Sequence, residues 1–547
     1  MDNLIERAPS AYGYPLLVKQ LLNAPIAYDP AQEIVYKDSV RLTYAEFRTR
    51  VARLAQALLD LGVQAGDTVA VMDWDSHRYL ECYFAVPMIG AVLHTINVRL
   101  AAEQLIYTID HAEDKLILVH ADFLPLLEAI KGRIAQVERF VLLSDGGPAP
   151  ATALPLLGEY EALLAAAVPL AEFPDFDENT RASTFYTTGT TGLPKGVYFS
   201  HRQLVLHTLA SAATLSANPL GANFHARDVY MPITPMFHVH AWGIPYIATF
   251  LGVKQVYPGK YVPPLLLKLI AAEKVTFSHC VPTILAMLLK DPSSAGVDLA
   301  GWKCVIGGAA LPKALATLAL SRGVDIFAGY GMSETCPVIA LVRIGPEDAG
   351  RDEAARAAAR SRTGSPVALV QLRVADKDGK PVPADDRTSG EIQLRAPWLT
   401  QGYHKDRANS EKLWAGGWLH TQDAAAVDAS GSLRITDRLK DIIKVGGEWL
   451  SSLELEDILS SHPAVAEAAV IGKADEKWGE IPLAAIVLKP DQTISEHRLV
   501  EHLKSYIDRG LVPREAVLLR VVFVPAIAKT GVGKVDKLAL RAAHGGA

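Results

Sequence analysis

Apolar residues at Phe47, Val51, Leu54, Ala55 and Leu58 recur every three or four positions, the spacing that lines one face of a helix. Thr43, with Glu46 three residues on, predicts a capping box at the start of that helix, and Gly62 predicts its end. The next apolar run, 68–72, is short and unbroken, as in a buried strand. Similar runs at 116–119 and 253–256 alternate with helical stretches, which predicts α/β layers containing much parallel sheet. Residues 146–180, rich in Pro, Ala and Gly, predict a loop between subdomains, and the Ala-rich, charged run 352–360 predicts a surface helix.

Further along, 390–394 and 432–435 read as strands of a small β region, followed by a boundary near 437–440. Beyond it the pattern predicts a helix from 452, strands at 468–471 and 484–488, a helix over 496–506 and a strand at 519–524. That is a compact α+β unit of about 110 residues, within the usual domain range. No repeat of fixed period is present.

Composition narrows the class. A chain of 547 residues is too long for one hydrophobic core, so two or more domains are expected. Half the residues are hydrophobic, and the formal net charge of -6 argues against broad nucleic-acid binding, which needs a basic surface. The four cysteines, Cys82, Cys280, Cys304 and Cys336, form no CxxC pair and show no zinc spacing. Reduced, buried thiols in a cytoplasmic protein are the expectation. The first residues show no basic segment followed by an apolar run, so no secretory leader is expected. The stretch 239–248 is interrupted by His, Gly and Pro and falls short of the roughly 20 apolar residues of a membrane span.

The strongest chemical signal is Tyr186-Thr187-Thr188-Gly189-Thr190-Thr191-Gly192-Leu193-Pro194-Lys195-Gly196. Glycines let backbone N–H groups close around an anion, while the threonine hydroxyls and Lys195 add donors. A phosphate loop is the reading. It is not a Walker A loop, because no Gly-Lys pair has the required Gly five positions before it.

This motif resembles the signature of the adenylate-forming superfamily, which includes acyl-CoA synthetases, beetle luciferases and peptide-synthetase adenylation domains. Further stretches resemble that family's other motifs in order, over roughly residues 30 to 540. The resemblance implies a large N-terminal AMP-binding and acyl-binding domain over residues 1–437, made of layered α/β subdomains plus a small β region. It also implies a small mobile α+β domain over 438–547, with a hinge at 438–440. In the implied nucleotide site, Thr187, Thr188, Gly189, Thr190, Thr191, Gly192 and Lys195 take the phosphates. Gly308 and Ala309 border the adenine. Gly329, Tyr330, Gly331, Ser333, Glu334 and Thr335 form a loop whose aromatic packs on the base and whose Glu334, with Thr187, holds Mg²⁺. By the same resemblance Asp423 binds the ribose hydroxyls, Arg438 and Lys444 meet the nucleotide, and Lys534 is the catalytic lysine. Lys440 is the hinge residue, Gly446, Gly447 and Trp449 border a coenzyme A tunnel, and Trp478 stacks on coenzyme A or simply packs.

The chemistry agrees. A carboxylate is ionised at neutral pH and is a poor acyl donor, and its attack on ATP brings anion against anion. Cations are therefore required where charge moves, and Lys534 suits that task. The segment 235–243 resembles bacterial fatty-acyl-CoA synthetases, which implies His238 beside the carboxylate and Trp242 gating an acyl tunnel. Val281, Pro282 and Thr283 complete the implied acyl pocket. The expected activity is ATP-dependent ligation of a fatty acid, of medium chain, to coenzyme A, and the resemblance implies a homodimer formed through the N-terminal domain. Only thirteen residues follow Lys534, so a free acceptor is expected, coenzyme A first and an acyl carrier protein second. Other readings are a long-chain or aryl acid–CoA ligase, a luciferase-like oxygenase and a non-catalytic nucleotide-binding regulator.

Overall fold

The computed structural model describes residues 3–147, 150–187, 193–218, 221–446, 448–529 and 535–545. The helix Tyr44–Asp60 starts as its sequence predicts. Thr43 accepts from the Glu46 N–H, and Glu46 Oε2 accepts from the Thr43 N–H at 2.7 Å. Its apolar stripe of Phe47, Val51, Leu54 and Leu58 is buried, each large side chain contributing about 1.5–3 kcal/mol.

Among the described residues the strands form four sheets. One, of seven strands, runs in the order Leu156–Glu159, Arg139–Leu143, Asp114–His120, Thr68–Met72, Val92–Thr95, Arg181–Tyr186, Gly196–Ser200. All its pairings are parallel except the last. Its central strand is buried on both faces, which is why 68–72 reads as an unbroken apolar run. A nine-stranded sheet has Val229–Pro232, Phe277–Cys280, Lys303–Ile306 and Asp325–Gly331 as parallel neighbours near its centre. A four-stranded antiparallel sheet ends in Leu419–Val427 and Leu433–Arg438.

The two large sheets turn the carboxyl ends of their parallel strands toward each other. Asp75, just beyond Thr68–Met72, accepts from the Met236 N–H at 2.8 Å, and Thr95 Oγ1 donates to the Phe237 carbonyl at 2.9 Å. Loops in such a crevice are where open α/β sheets bind ligands.

Residues 443–540 build separate cores around Leu455, Val470, Ile486, Leu499 and Leu503, and around Ala469 and Leu483. The strands Val465–Asp475 and Gly479–Leu488 pair antiparallel, flanked by the helices Ser452–Ser460 and Glu496–Ile507. The fold is mixed α/β, with a large N-terminal part and a small C-terminal one.

Two local expectations change. The stretch 146–180 contains the strand Leu156–Glu159 and the helix Tyr160–Ala166, because pairing with Arg139–Leu143 and burial of Tyr160 and Leu164 outweigh its loop-like composition. The Ala-rich helix Glu353–Arg360 is not wholly a surface element. Ala357 and Arg360 face inward, and Arg360 pairs with Asp348 at 2.9 Å and with Asp325.

Candidate active site

The phosphate loop joins the antiparallel strands Arg181–Tyr186 and Gly196–Ser200. Its two ends are tied: the Thr187 N–H donates to the Lys195 carbonyl at 2.9 Å, and the Lys195 N–H donates to Thr187 Oγ1 at 3.2 Å. Thr188, Gly189, Thr190, Thr191 and Gly192 lie outside the described residues. Lys195 Nζ stands 4.5 Å from the centre of the Tyr403 ring.

Opposite it, the strand Asp325–Gly331 runs into the short turn Ser333–Thr335. Glycine is required at 331, where a Cβ would lie 1.9 Å from the Pro337 carbonyl oxygen. The turn is braced by Thr335 Oγ1, which accepts from the Met332 N–H at 2.9 Å. It presents Glu334, a buried carboxylate whose Oε1 accepts from the Tyr403 hydroxyl at 2.7 Å. Burial holds the Glu334 carboxyl above its ordinary range, while the Tyr403 hydroxyl and the charges of Lys195 and Arg438 pull it down. Tyr330 is buried and donates to Asp423 Oδ2 at 2.7 Å. Asp423 and Arg438 are directly paired residues of neighbouring strands, with Arg438 Nε 3.4 Å from Asp423 Oδ1. The structure thus brings Tyr330, Asp423, Arg438, Glu334 and Lys195 into one neighbourhood.

A cavity is built from the next strand ends. His238, Trp242, Val281, Ile284, Gly308 and Arg99 line a narrow cavity of about 20 Å³. Trp242 closes it from one side, packing on His279 with ring centres 5.0 Å apart. Gly307 makes that closure possible, since a Cβ there would meet Trp242 Cη2 at 3.0 Å and the Gly329 carbonyl at 3.1 Å. Pro282 opens the helix Pro282–Lys290, Thr283 is exposed on its first turn, and Gly308 and Ala309 are exposed beyond the Lys303–Ile306 strand.

Val239, His240, Ala241 and Trp242 all have φ between 47° and 61°, and Gly243 has 70°. This is one turn of left-handed helix built mainly from non-glycine residues, at a cost of roughly 1–2 kcal/mol each. Packing offsets it. All four side chains are buried, and His240 sits edge-on among Tyr83 and Phe185. That burial lowers its pKa to about 3, so it is neutral.

The C-terminal candidates are differently placed. Lys444 and Trp449 are exposed on the hairpin of Ile443–Val445 and Glu448–Leu450. Gly446, at φ +59°, is covered by Trp478, whose Cε3 would lie 3.0 Å from an added Cβ. Lys440 follows the Leu433–Arg438 strand and is exposed. Lys534 and Gly447 lie outside the described residues. Polar contacts cross from the small β region and its neighbours to the helix Ser452–Ser460: Arg434 with Glu454 at 2.8 Å, Lys313 with Asp457 at 3.1 Å, and the Ser452 N–H with Asp437 Oδ2 at 2.5 Å.

Sequence reasoning passed over Tyr403, Asp75 and Arg99. Asp75 has a legible signal, an acidic residue three positions beyond a buried strand, where ligands and loops gather. Tyr403 has only its place in Gly402-Tyr403-His404.

A crevice of this build, with Lys195 facing a carboxylate-bearing turn across two sheets, defines a class of nucleotide-dependent enzymes. Residues 24–404 match the AMP-binding enzyme family and residues 454–534 its C-terminal domain, and the chain belongs to that family. It is 40% identical over 543 residues to the long-chain-fatty-acid–CoA ligase of Thermus thermophilus, covering 98% of this chain and 94% of that one. It is 35% identical over 545 residues to the medium-chain-fatty-acid–CoA ligase of Ectopseudomonas oleovorans, covering 97% and 96%. The crystal structure of an anthranilate CoA ligase in complex with anthranoyl-AMP matches with a TM-score of 0.83 at 26% identity, over 97% of this chain and 98% of that one.

Proposed function

We propose that this chain is an ATP-dependent fatty-acid–CoA ligase. It joins a carboxylate to AMP with release of pyrophosphate, then passes the acyl group to the thiol of coenzyme A and releases AMP. One juxtaposition carries the reading. The Tyr330–Asp423–Arg438 cluster and Glu334 gather at the end of one parallel strand, while Gly308, which lines the cavity of His238 and Trp242, lies beyond its neighbour.

In this reading the acid's carboxylate lies beside His238 and attacks the α-phosphorus. The phosphate loop, from Thr187 to Gly192 with Lys195, takes the phosphates, and Lys534 offsets the charge that shifts from carboxylate to phosphate. Gly329, Tyr330, Gly331, Ser333 and Thr335 shape the base and sugar site with Gly308 and Ala309, and Asp423 receives the ribose hydroxyls. Glu334 and Thr187 supply hard oxygen donors suited to Mg²⁺. Bound there, it would screen the phosphates and steady the pyrophosphate leaving group.

For thioester formation the C-terminal part turns about Lys440. Lys444 then meets the nucleotide side, and Gly446, Gly447, Trp449 and Trp478 line the approach of coenzyme A. The substrate class is a medium-chain fatty acid, admitted when Trp242 leaves the apolar cavity. A long-chain acid is the second reading, favoured by the 40% identity to the Thermus thermophilus ligase. No helix among the described residues is long and apolar enough to cross a membrane, and we take the enzyme to act in the cytoplasm as a homodimer.

The test is AMP release with coenzyme A across saturated acids from C4 to C18. A maximum between C6 and C12 supports the medium-chain reading, and one at C16 or C18 supports the long-chain reading. If no acid yields acyl-AMP or AMP in the presence of ATP and magnesium, the ligase assignment is wrong.

A further inference from the structure

Lys195 and Glu334 carry opposite charges and arise from different sheets, one leaving the phosphate loop and the other on the turn Ser333–Thr335. A single segment, residues 398–404, touches both. Toward the turn, Trp398 Nε1 donates to the Thr335 carbonyl at 3.1 Å and the Thr400 N–H donates to the Glu334 carbonyl at 3.0 Å. Toward the loop, Thr400 Oγ1 donates to the Tyr198 carbonyl at 3.0 Å, the His404 N–H donates to the Gly196 carbonyl at 2.8 Å, and Tyr403 forms a bridge with Val197. Tyr403 lies in this strap with its ring under the Lys195 ammonium and its hydroxyl on Glu334 Oε1.

We propose that Tyr403 is a positioning residue that acts as a spacer between Lys195 and Glu334, holding both charges toward the nucleotide and keeping them from pairing with each other. The role rests on the ligase reading above, in which Lys195 faces phosphate and Glu334 faces the metal. The physical argument is direct. An ammonium and a carboxylate brought together in a water-poor crevice neutralise each other, and neither then serves the substrate. A phenol answers both charges at once, the ring face drawing the cation and the O–H donating to the anion.

Tyr403→Phe keeps the ring and loses the O–H; Tyr403→Ala loses both. Binding of Mn²⁺ in the presence of ATP, followed by electron paramagnetic resonance, reads the site without turnover. Tyr403→Phe should weaken Mn²⁺ binding roughly 10-fold, the worth of a hydrogen bond to a charged group. Tyr403→Ala should weaken it several-fold more, by also losing the cation–ring contact and the spacer. Pyrophosphate exchange should fall with these changes, while thioester formation from supplied acyl-adenylate stays within two-fold of wild type. If Tyr403→Ala fails to fold, Tyr403→Phe alone decides. Wild-type Mn²⁺ affinity in Tyr403→Phe, or equal loss of both half-reactions, overturns the proposal. Should the wild-type chain make no acyl-adenylate, the ligase reading fails by itself, and the Mn²⁺ titration still judges Tyr403.

Discussion

The crevice of the N-terminal part and the hairpin 443–450 of the C-terminal part are both expected to meet substrate, yet they are held in opposite ways. Tyr330, Asp423 and Glu334 are buried and hydrogen-bonded to partners on other elements. Lys444 and Trp449 stand in solvent. The part reaches its neighbour through a few polar contacts, such as Lys313 with Asp457, rather than through the shared apolar core that joins the two large sheets. Groups that keep one set of partners are fixed by desolvation, where polar contacts are strongest. Groups that must exchange partners remain hydrated, where contacts are cheap to break.

The largest test of that contrast is acid. His201, His207, His240 and His279 all lie in the N-terminal part, and burial lowers each to a pKa of about 3. An unfolded histidine takes up a proton near pH 6.5 and these cannot, so the unfolded state binds more protons as pH falls from about 6.5 toward 3. Stability of this part should fall through that window by up to about 1.4 kcal/mol per pH unit for each histidine. Asp75 opposes it. Burial raises its carboxyl to about 7, so its protonation stabilises the fold as pH falls from about 7 to 4; the raised carboxyls of Asp114, Glu334 and Asp437 act in the same direction over smaller shifts, while His404, lowered to about 4, adds to the histidines. Hydrogen exchange at pH 7.5 and 5.5 should show protection lost in the N-terminal part and retained over 452–523. Equal loss in both would remove the contrast.

Next in size is Lys534→Ala. Adenylation should drop about 10²- to 10³-fold, the usual effect of removing one transition-state donor, while thioester formation from supplied acyl-adenylate persists. Parallel loss of both steps would contradict a lysine used in one orientation only. Gly331→Ala follows. Its Cβ would overlap the Pro337 carbonyl oxygen, and a cost of about 3 kcal/mol, the upper end for overpacking, should appear as a lower urea midpoint. An unchanged midpoint would mean that the Glu334 turn yields more readily than its contacts suggest. The smallest effect is expected at Lys313→Ala. The pair with Asp457 is largely exposed, so its loss should shift the balance of the two half-reactions only a few-fold, and 1 M salt should erase the difference.

Much of this was legible before any coordinates. The capping box at Thr43 and Glu46, the buried strand at 68–72 and the alternation of the C-terminal part are local patterns, and local patterns survive folding. The ordered motifs also identified the superfamily. Contacts made by residues far apart in the chain were not legible. The strand Leu156–Glu159 forms in a Pro- and Ala-rich stretch because Arg139–Leu143 offers an edge, and the helix Tyr160–Ala166 after it is held by burial of Tyr160 and Leu164. Arg360 looks like a solvated charge until Asp325 and Asp348 arrive from elsewhere. Tyr403 stands 69 positions from Glu334 and far beyond Lys195 in sequence, and no spacing rule links them.

The left-handed turn at Val239–Trp242 has a consequence for which residues this stretch tolerates. Glycine adopts such backbone angles freely, so Ala241, buried at φ 47°, is a site where the change normally harmful inside a helix would relieve the chain. That a bulkier residue stands there ties the shape of the cavity lined by Trp242 to the tightness of its surroundings. Loosening the aromatic cage around His240 would let the segment unwind by its own tension, even with every residue that lines the cavity left in place.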